Sequence, residues 1–166
     1  MRFSLLPKAI YPALTSVDLQ DLHRQGIRLL MLDFDNTIVP YTTNVPTPRM
    51  RRWLAGAKAS PVRICVVSNS KKRRVVEFCN AQGIDCVTHA KKPRRGGITR
   101  CMKRYGMEPG ECALCGDQIF TDVLGANRSG IRSLLVPAID NHNIWLKLRH
   151  VLEIPFIFFA KGRTCK

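Results

Sequence analysis

Four aspartates and one lysine stand at spacings that a folded chain could gather into one reactive site. Asp33 and Asp35 lie in DFDNT, at the end of an apolar run. Asp117 and Asp122 lie in GDQIFTD after another such run, and Lys92 lies in KKP. Carboxylates that lie this close together repel one another unless a cation compensates for their charge. Their oxygens, with room left for waters and a phosphate oxygen, favour Mg²⁺.

The spacing within DFDNT separates two chemical roles. Once a cation and Lys92 neutralise the cluster, one carboxylate can attack phosphorus. Asp33 ends the buried run and is expected to point into the site. Asp35, two residues later, is expected to reach the oxygen of the leaving group. The sequence thus predicts phosphoryl transfer with a nucleophile and an acid close together.

Short apolar runs alternate with helical segments, which is the pattern of βα units around a parallel sheet. The predicted strands are residues 28–34, 62–68, 85–88, 112–115 and 133–136. The predicted helices are residues 47–58, 71–82, 97–105 and 121–128, and Gly83, Gly106 and Gly130 stand where C-terminal caps belong. We therefore predict an α/β fold, a Rossmann-like three-layer sandwich with a five-stranded parallel sheet. Ligands of such sheets bind beyond the carboxyl ends of the strands, where the candidate residues stand.

The length of 166 residues predicts a single domain, residues 1–166, with a leading arm at 1–27 containing one helix and a tail at 141–166. Pro7 and Pro12 interrupt the N-terminal segment, so no secretory signal is expected. The longest apolar run, residues 154–160, is too short for a transmembrane segment. We expect a cytoplasmic protein. Its seven cysteines are read as free thiols, and Cys112 and Cys115 of the CxxC pair as buried core residues.

The ordered set of DxDxT, a serine after the second strand, a lysine, and GDxxxD resembles the haloacid dehalogenase (HAD) superfamily of phosphohydrolases over about residues 29–130. The leading arm, Pro40, HAKKP and GDQxxTD further resemble its small YqeG-type subfamily, which includes mitochondrial phosphatidylglycerophosphate phosphatases. Phe34 and Thr37 stand where the mitochondrial form usually has Lys and Cys, so the chain is placed nearer the bacterial branch.

The resemblance implies a role for each matching residue. Asp33 would be the nucleophile that becomes an aspartyl phosphate, and Asp35 the general acid and then the base. Lys92, with Lys91 as an alternative, would hold the nucleophile and the phosphoryl group together. The implied Mg²⁺ ligands are Asp33, the main-chain carbonyl of Asp35 and Asp117, with Asp122 close by or bound through water. The implied substrate-binding residues are Thr37, Ser68 and Asn69.

The spacing between motifs leaves no room for a lid domain. Only 32 residues separate Asp35 from Ser68, and 23 separate Ser68 from Lys92, and each gap already holds a helix and a strand. A capless member of this superfamily usually acts on a substrate that excludes water with its own bulk, such as a protein, a nucleic acid or a lipid headgroup.

The charge of +15, from 27 Lys and Arg against 12 Asp and Glu, predicts an anionic partner. Three segments near the predicted site form a basic rim: Arg49, Arg51, Arg52, Lys71, Lys72, Arg73, Arg74, Lys91, Lys92, Arg94 and Arg95. The rim is either a solvated face or a surface for a polyanionic or membrane-borne substrate. Trp145 and the phenylalanines of the tail allow two interpretations, a packed final helix or an interfacial anchor.

The leading hypothesis is a phosphatase of phosphatidylglycerophosphate, peripheral to the inner face of the membrane. A phosphatase of a soluble phosphometabolite or a phosphoprotein is one alternative. A basic RNA or ribosome-associated binding protein with a residual site is another, although no aromatic residues interleave the charges to form a nucleic-acid platform. A phospho-acceptor signalling module is disfavoured because Asp35 would speed loss of the phosphoryl signal. The sequence leaves the oligomeric state open.

Overall fold

The computed structural model describes residues 4–71 and 73–140. In these residues six strands form one parallel sheet in the order β1-β6-β5-β2-β3-β4. The strands are β1 (Ala9–Ile10), β2 (Leu29–Leu32), β3 (Arg63–Val67), β4 (Asp85–Val87), β5 (Cys112–Gly116) and β6 (Arg132–Leu135). The helices are α1 (Leu19–Arg24), α2 (Pro48–Lys58), α3 (Arg73–Gln82), α4 (Gly96–Tyr105) and α5 (Leu124–Ser129).

Alternate residues of the central strand β2 face two separate apolar layers. Leu30 and Leu32 pack into a layer that includes residues of α1, α2 and α3. Leu29 and Met31 pack into a second layer with residues of α4 and α5. Since successive side chains of a strand point to opposite faces, a strand covered on both faces must be apolar at every position. The three-layer α/β sandwich predicted from the sequence is confirmed.

The sheet has six strands, where the sequence predicted five. The additional strand is β1, in the leading arm, and it pairs in parallel with β6 through Ala9 and Leu134. Main-chain hydrogen bonds from Lys8 to Ser133 and from Tyr11 to Leu135 hold it there, both at 2.9 Å. Two residues are too few to show the alternation by which a strand is recognised. The predicted tail at 141–166 lies outside the described residues.

The helix predicted at residues 121–128 begins earlier and in a different form. Ile119–Val123 is a π-helical turn, and α5 follows it directly. The predicted C-terminal caps are confirmed at Gly106 and Gly130, whose φ angles of 62° and 74° fall in the left-handed region that favours glycine. The predicted burial of Cys112 and Cys115 in β5 is also confirmed.

Candidate active site

A tight turn after β2 holds the two aspartates of DFDNT at the carboxyl ends of the parallel strands. The main-chain N–H of Asp33 donates to the carbonyl of Cys115 at 2.9 Å, which continues the pairing of β2 with β5. The chain then reverses at Asn36, which has a φ of 61°, and the N–H of Asn36 donates to the carbonyl of Val39 at 2.7 Å. Asparagine tolerates this left-handed conformation better than most residues.

Three of the four aspartates and Lys92 form one buried cluster. Ligand oxygens of Asp33, Asp117 and Asp122 lie within 4.8 Å of one another. Nζ of Lys92 lies 2.6 Å from Oδ1 of Asp33 and 2.7 Å from Oδ1 of Asp122. A glycine at position 116 makes the cluster possible, because a Cβ there would lie 2.3 Å from the Asp122 carboxyl group.

Burial shifts the proton affinities of this cluster. Removal from water, together with the neighbouring carboxylates, raises the pKa of Asp33 to about 7 and that of Asp117 to about 8, although Lys92 opposes both shifts. Burial by itself lowers the pKa of Lys92, but the charges of Asp122 and Asp33 outweigh it and the pKa is raised. The lysine is therefore charged, and one cation faces three carboxyl groups.

The cluster fits a divalent metal ion. Its donors are hard carboxylate oxygens from three residues, and once these ionise their charge exceeds that of the single lysine, so that a metal could neutralise the remainder. The hydroxyl of Thr37 donates to Oδ1 of Asp117 at 3.3 Å and orients that carboxylate. Such contacts behind a ligand tune its orientation and affinity.

The serine and the asparagine of SNS lie beside the segment that carries Lys92. Ser68 is buried directly after β3, and its hydroxyl accepts from the N–H of Ser70 at 3.0 Å. The Asn69 side chain bonds to the main chain of Lys92 twice, accepting from its N–H at 2.6 Å and donating to its carbonyl at 2.9 Å. Asn69 therefore braces the lysine segment. Lys91, the alternative to Lys92, is exposed.

The side chain of Asp35 has a different partner. It forms an ion pair with Nη2 of Arg74, in which the side chains are 12% and 16% exposed respectively. The sequence placed Arg74 on the basic rim at a helix start, and the structure has it in the first turn of α3 with its side chain turned toward the DFDNT turn. A positive charge at a helix start costs about 0.3–1 kcal/mol, which the carboxylate offsets. Helical spacing in the sequence could have indicated this orientation, since Arg74 lies four residues before the buried Phe78 and therefore on the same face of α3.

Most of the described rim remains at the surface, around the carboxyl edge. Its exposed residues are Arg49, Arg51, Arg52, Lys71, Arg73, Lys91, Arg94 and Arg95. Lys92 belongs instead to the buried cluster. The described rim is therefore a solvated positive surface next to a buried acidic site.

Comparison with known proteins adds independent evidence. Residues 2–138 match the sequence profile of the family described as mitochondrial PGP phosphatase. The chain is 30% identical over 131 residues to the "Probable phosphatase YqeG" of Bacillus subtilis, covering 79% of this chain and 76% of that protein. It is 29% identical over 141 residues to the chloroplastic phosphatidylglycerophosphate phosphatase 1 of Chlamydomonas reinhardtii, covering 79% of this chain but 52% of that relative.

Two solved structures share the fold. The cobalt-bound deoxy-D-mannose-octulosonate 8-phosphate phosphatase of Haemophilus influenzae has a TM-score of 0.55 at 13% identity, with 75% of each chain covered. A HAD-superfamily hydrolase of Ehrlichia chaffeensis has a TM-score of 0.54 at 13% identity, covering 80% of this chain and 98% of that one. At such low identity the likeness concerns the fold alone.

The sequence relatives and the acidic cluster at the carboxyl ends of the parallel strands define a phosphohydrolase, and its fold is shared with a HAD-superfamily hydrolase. Its substrates carry a phosphate group. Within that class, the chain belongs to the mitochondrial PGP phosphatase family. The resemblance found in the sequence is thereby confirmed.

Proposed function

We propose that the protein is a Mg²⁺-dependent phosphomonoesterase that works through an aspartyl phosphate on Asp33. The observation that carries this proposal is the contact of Lys92 with Asp33 at 2.6 Å inside a cluster of three carboxyl groups. A nucleophilic carboxylate needs its charge compensated before it can approach a phosphate dianion, and this arrangement supplies the compensation. Phosphoryl transfer depends chiefly on such positioning and neutralisation of charge.

The reaction would proceed in two displacements. An oxygen of Asp33 forms a bond to phosphorus while the bond to the leaving oxygen breaks, and Asp35 donates a proton to that oxygen. Asp35 then takes a proton from water, which attacks the phosphorus and releases phosphate and free Asp33. Lys92 holds Asp33 and the phosphoryl group together throughout.

The remaining site residues bind the phosphoryl group and the metal in this proposal. Ser68, Thr37 and Asn69 are assigned to the phosphate side, Ser68 through its hydroxyl and Asn69 through its main-chain N–H, because the Asn69 side chain bonds to the main chain of Lys92. Mg²⁺ would be held by Asp33, Asp117 and the main-chain carbonyl of Asp35, with Asp122 close by or bound through water. When bound, Mg²⁺ would neutralise charge on the phosphoryl oxygens.

We further propose that the substrate is phosphatidylglycerophosphate, met at the inner face of a membrane from the cytoplasmic side. The name of the family and of the Chlamydomonas relative supports this choice, as do the capless spacing and the exposed basic rim. No helix in the described part of the chain is long and apolar enough to cross a bilayer. Attachment would therefore be peripheral for the described residues.

A panel of phosphate esters tests both proposals at once. Phosphatidylglycerophosphate in vesicles, sugar phosphates, nucleotides and phosphopeptides are each assayed with Mg²⁺, with EDTA, and with Asp33→Asn as the inactive control. We expect turnover that EDTA and Asp33→Asn abolish, with the lipid turned over fastest. Activity that survives either change would refute the mechanism.

Other results of the same panel would redirect the substrate assignment. A sugar phosphate or nucleotide turned over far faster than the lipid would refute the lipid substrate and leave the phosphatase. No turnover of any ester, with RNA bound equally by wild type and Asp33→Asn, would favour the RNA-binding alternative.

A further inference from the structure

The Arg74 guanidinium contacts three groups of the segment that follows β2. Nη2 pairs with Oδ1 of Asp35, and Nη1 donates to the main-chain carbonyl of Tyr41 at 2.7 Å. The guanidinium carbon lies 5.2 Å from the ring centroid of Phe34, over its face. A single side chain of α3 thus joins the DFDNT turn to the loop after it.

The Phe34 ring joins this arrangement to the apolar core. The Phe34 ring is fully buried and also packs edge-on against Phe78, with 5.2 Å between ring centroids. Arg74 and Phe78 are one helical turn apart on α3, so the ring contacts both of them. Nε of Arg74 is buried without a hydrogen-bond partner among the described residues. The guanidinium is therefore oriented by Asp35, Tyr41 and Phe34 and leaves one of its own donors unsatisfied.

We propose that Arg74 is a positioning residue, which fixes the carboxylate of Asp35 for proton transfer to the leaving group and from water. The guanidinium engages Oδ1, so Oδ2 is the oxygen that exchanges the proton. The proposal rests on the acid and base role of Asp35 proposed above. A displacement of about 1 Å in a reacting group can lower the rate on the order of 100-fold. A contact that fixes the Asp35 carboxylate can therefore have a large effect on the rate.

Arg74→Gln tests this inference through the leaving group. We expect kcat for glycerol phosphate, a poor leaving group that needs an acid, to fall by about 10- to 100-fold with KM changed less than about twofold. The fall should be smaller for the first turnover of p-nitrophenyl phosphate, whose leaving group departs without a proton. Arg28→Gln is the matched control. Arg28 also pairs with a carboxylate, Glu111 at 3.0 Å, but it lies at the start of β2, where the amino ends of the strands meet and far from the DFDNT turn.

A double-mutant cycle with Asp35→Asn shows whether Arg74 acts through Asp35. If it does, Arg74→Gln should slow the residual turnover of Asp35→Asn by no more than about twofold. Free guanidinium should partly restore kcat to Arg74→Ala but not to the variant that combines Arg74→Ala with Asp35→Asn. Arg74→Lys should retain part of the activity. Thermal unfolding of each variant identifies those that fail to fold. If Arg74→Gln is one of them, the restoration of kcat by guanidinium decides whether Arg74 acts through Asp35.

Two contrary results have different meanings. An equal loss from Arg74→Gln in wild type and in Asp35→Asn, or a loss confined to KM, would overturn the positioning role and make Arg74 a structural or substrate-binding residue. Wild-type turnover by Asp35→Asn would instead remove the acid and base assignment proposed for the site.

Discussion

Asp33 and Asp117 have pKa values of about 7 and about 8, far above the ordinary 3.8, chiefly because both are buried. Between 3.8 and these values, the folded protein binds protons that the unfolded chain has released. Stability falls with rising pH wherever the folded state binds more protons. The two groups therefore lower the stability of the metal-free protein as pH rises from about 4 to about 8.

Mg²⁺ is expected to reverse this trend because it binds the ionised carboxylates. Raising the pH from 6 to 8 should lower the Tm in EDTA, and the increase in Tm produced by Mg²⁺ should grow over the same range. Thermal unfolding at pH 6, 7 and 8, with and without Mg²⁺, measures both effects. Asp117→Asn should weaken the pH dependence of the Mg²⁺ effect. A Tm increase of the same size at every pH would contradict the coupling.

The sequence could predict which residues meet at the site, because strand ends in a parallel sheet share an edge. Asp33 and Asp117 follow β2 and β5, which are neighbours in the sheet. It could not predict which way individual charged side chains turn. The substrate-binding role of Asn69 stays a prediction, but the two bonds of its side chain to the main chain of Lys92 were not predicted. Arg74 was placed on the basic rim with its neighbours, because a run of four basic residues does not show which one faces inward.

At the scale of elements, the segment between β4 and α4 delivers Lys92 into the cluster. It has no regular secondary structure of its own, and His89 and Lys91 adopt positive φ angles of 51° and 56°. Main-chain hydrogen bonds from His89 to Ser70 at 3.3 Å and from Ala90 to Ser68 at 3.0 Å fix its first part beside the end of β3. The two bonds from Asn69 connect it to the end of β3, so the position of Lys92 depends on two strands.

Asn69→Ala should reposition Lys92 and leave its main-chain groups without these partners. We expect a stability loss of about 1–3 kcal/mol and a fall in kcat of about 10- to 100-fold, measured by urea unfolding and by turnover. Asn69→Asp should lose less stability because it keeps the acceptor for the Lys92 N–H. Asn80→Ala, at an exposed position of α3, is the control. A rise in KM without loss of kcat or stability would show that the Asn69 side chain binds the substrate and does not hold the Lys92 segment.

Two elements escaped prediction for different physical reasons. β1 has two residues, too few for a periodic pattern, and pairing with β6 creates it. The π-helical turn Ile119–Val123 has ordinary helical sequence, and its form follows from the N–H groups of Asp122 and Val123, which both donate to the carbonyl of Gln118. Such turns occur often at functional sites, and this one carries Asp122 into the cluster.

At the scale of the whole molecule, exposed apolar residues lie near the exposed basic rim. Tyr41 is 44% exposed and Val45 64%, both in the loop between β2 and α2. Ile139 is 43% exposed, and its N–H donates to the carbonyl of Asn36 in the DFDNT turn at 2.9 Å. Apolar side chains beside positive charge suit the boundary between headgroups and acyl chains of an anionic membrane.

If the rim meets lipid, the protein should bind vesicles that contain phosphatidylglycerol but not vesicles of phosphatidylcholine alone. Each basic side chain near an anionic surface contributes about 1 kcal/mol. Replacing Arg94 and Arg95 with Gln should therefore weaken binding by roughly tenfold or more. Arg24 and Arg28 are 67% and 59% exposed and lie near the amino ends of the strands, away from the rim. Replacing them removes the same charge and should leave binding unchanged.

The salt dependence of vesicle binding distinguishes contact through the exposed basic rim from attraction caused by the net charge of the protein. A net charge of +15 attracts any anionic surface at low ionic strength, so binding in dilute buffer alone would not favour the rim. At about 0.15 M salt exposed charges are screened within about 8 Å, and only a face in direct contact retains its effect. Vesicle sedimentation at both salt concentrations compares the two double variants. Equal weakening by both pairs would assign the attraction to net charge and would refute the rim as the membrane-binding face.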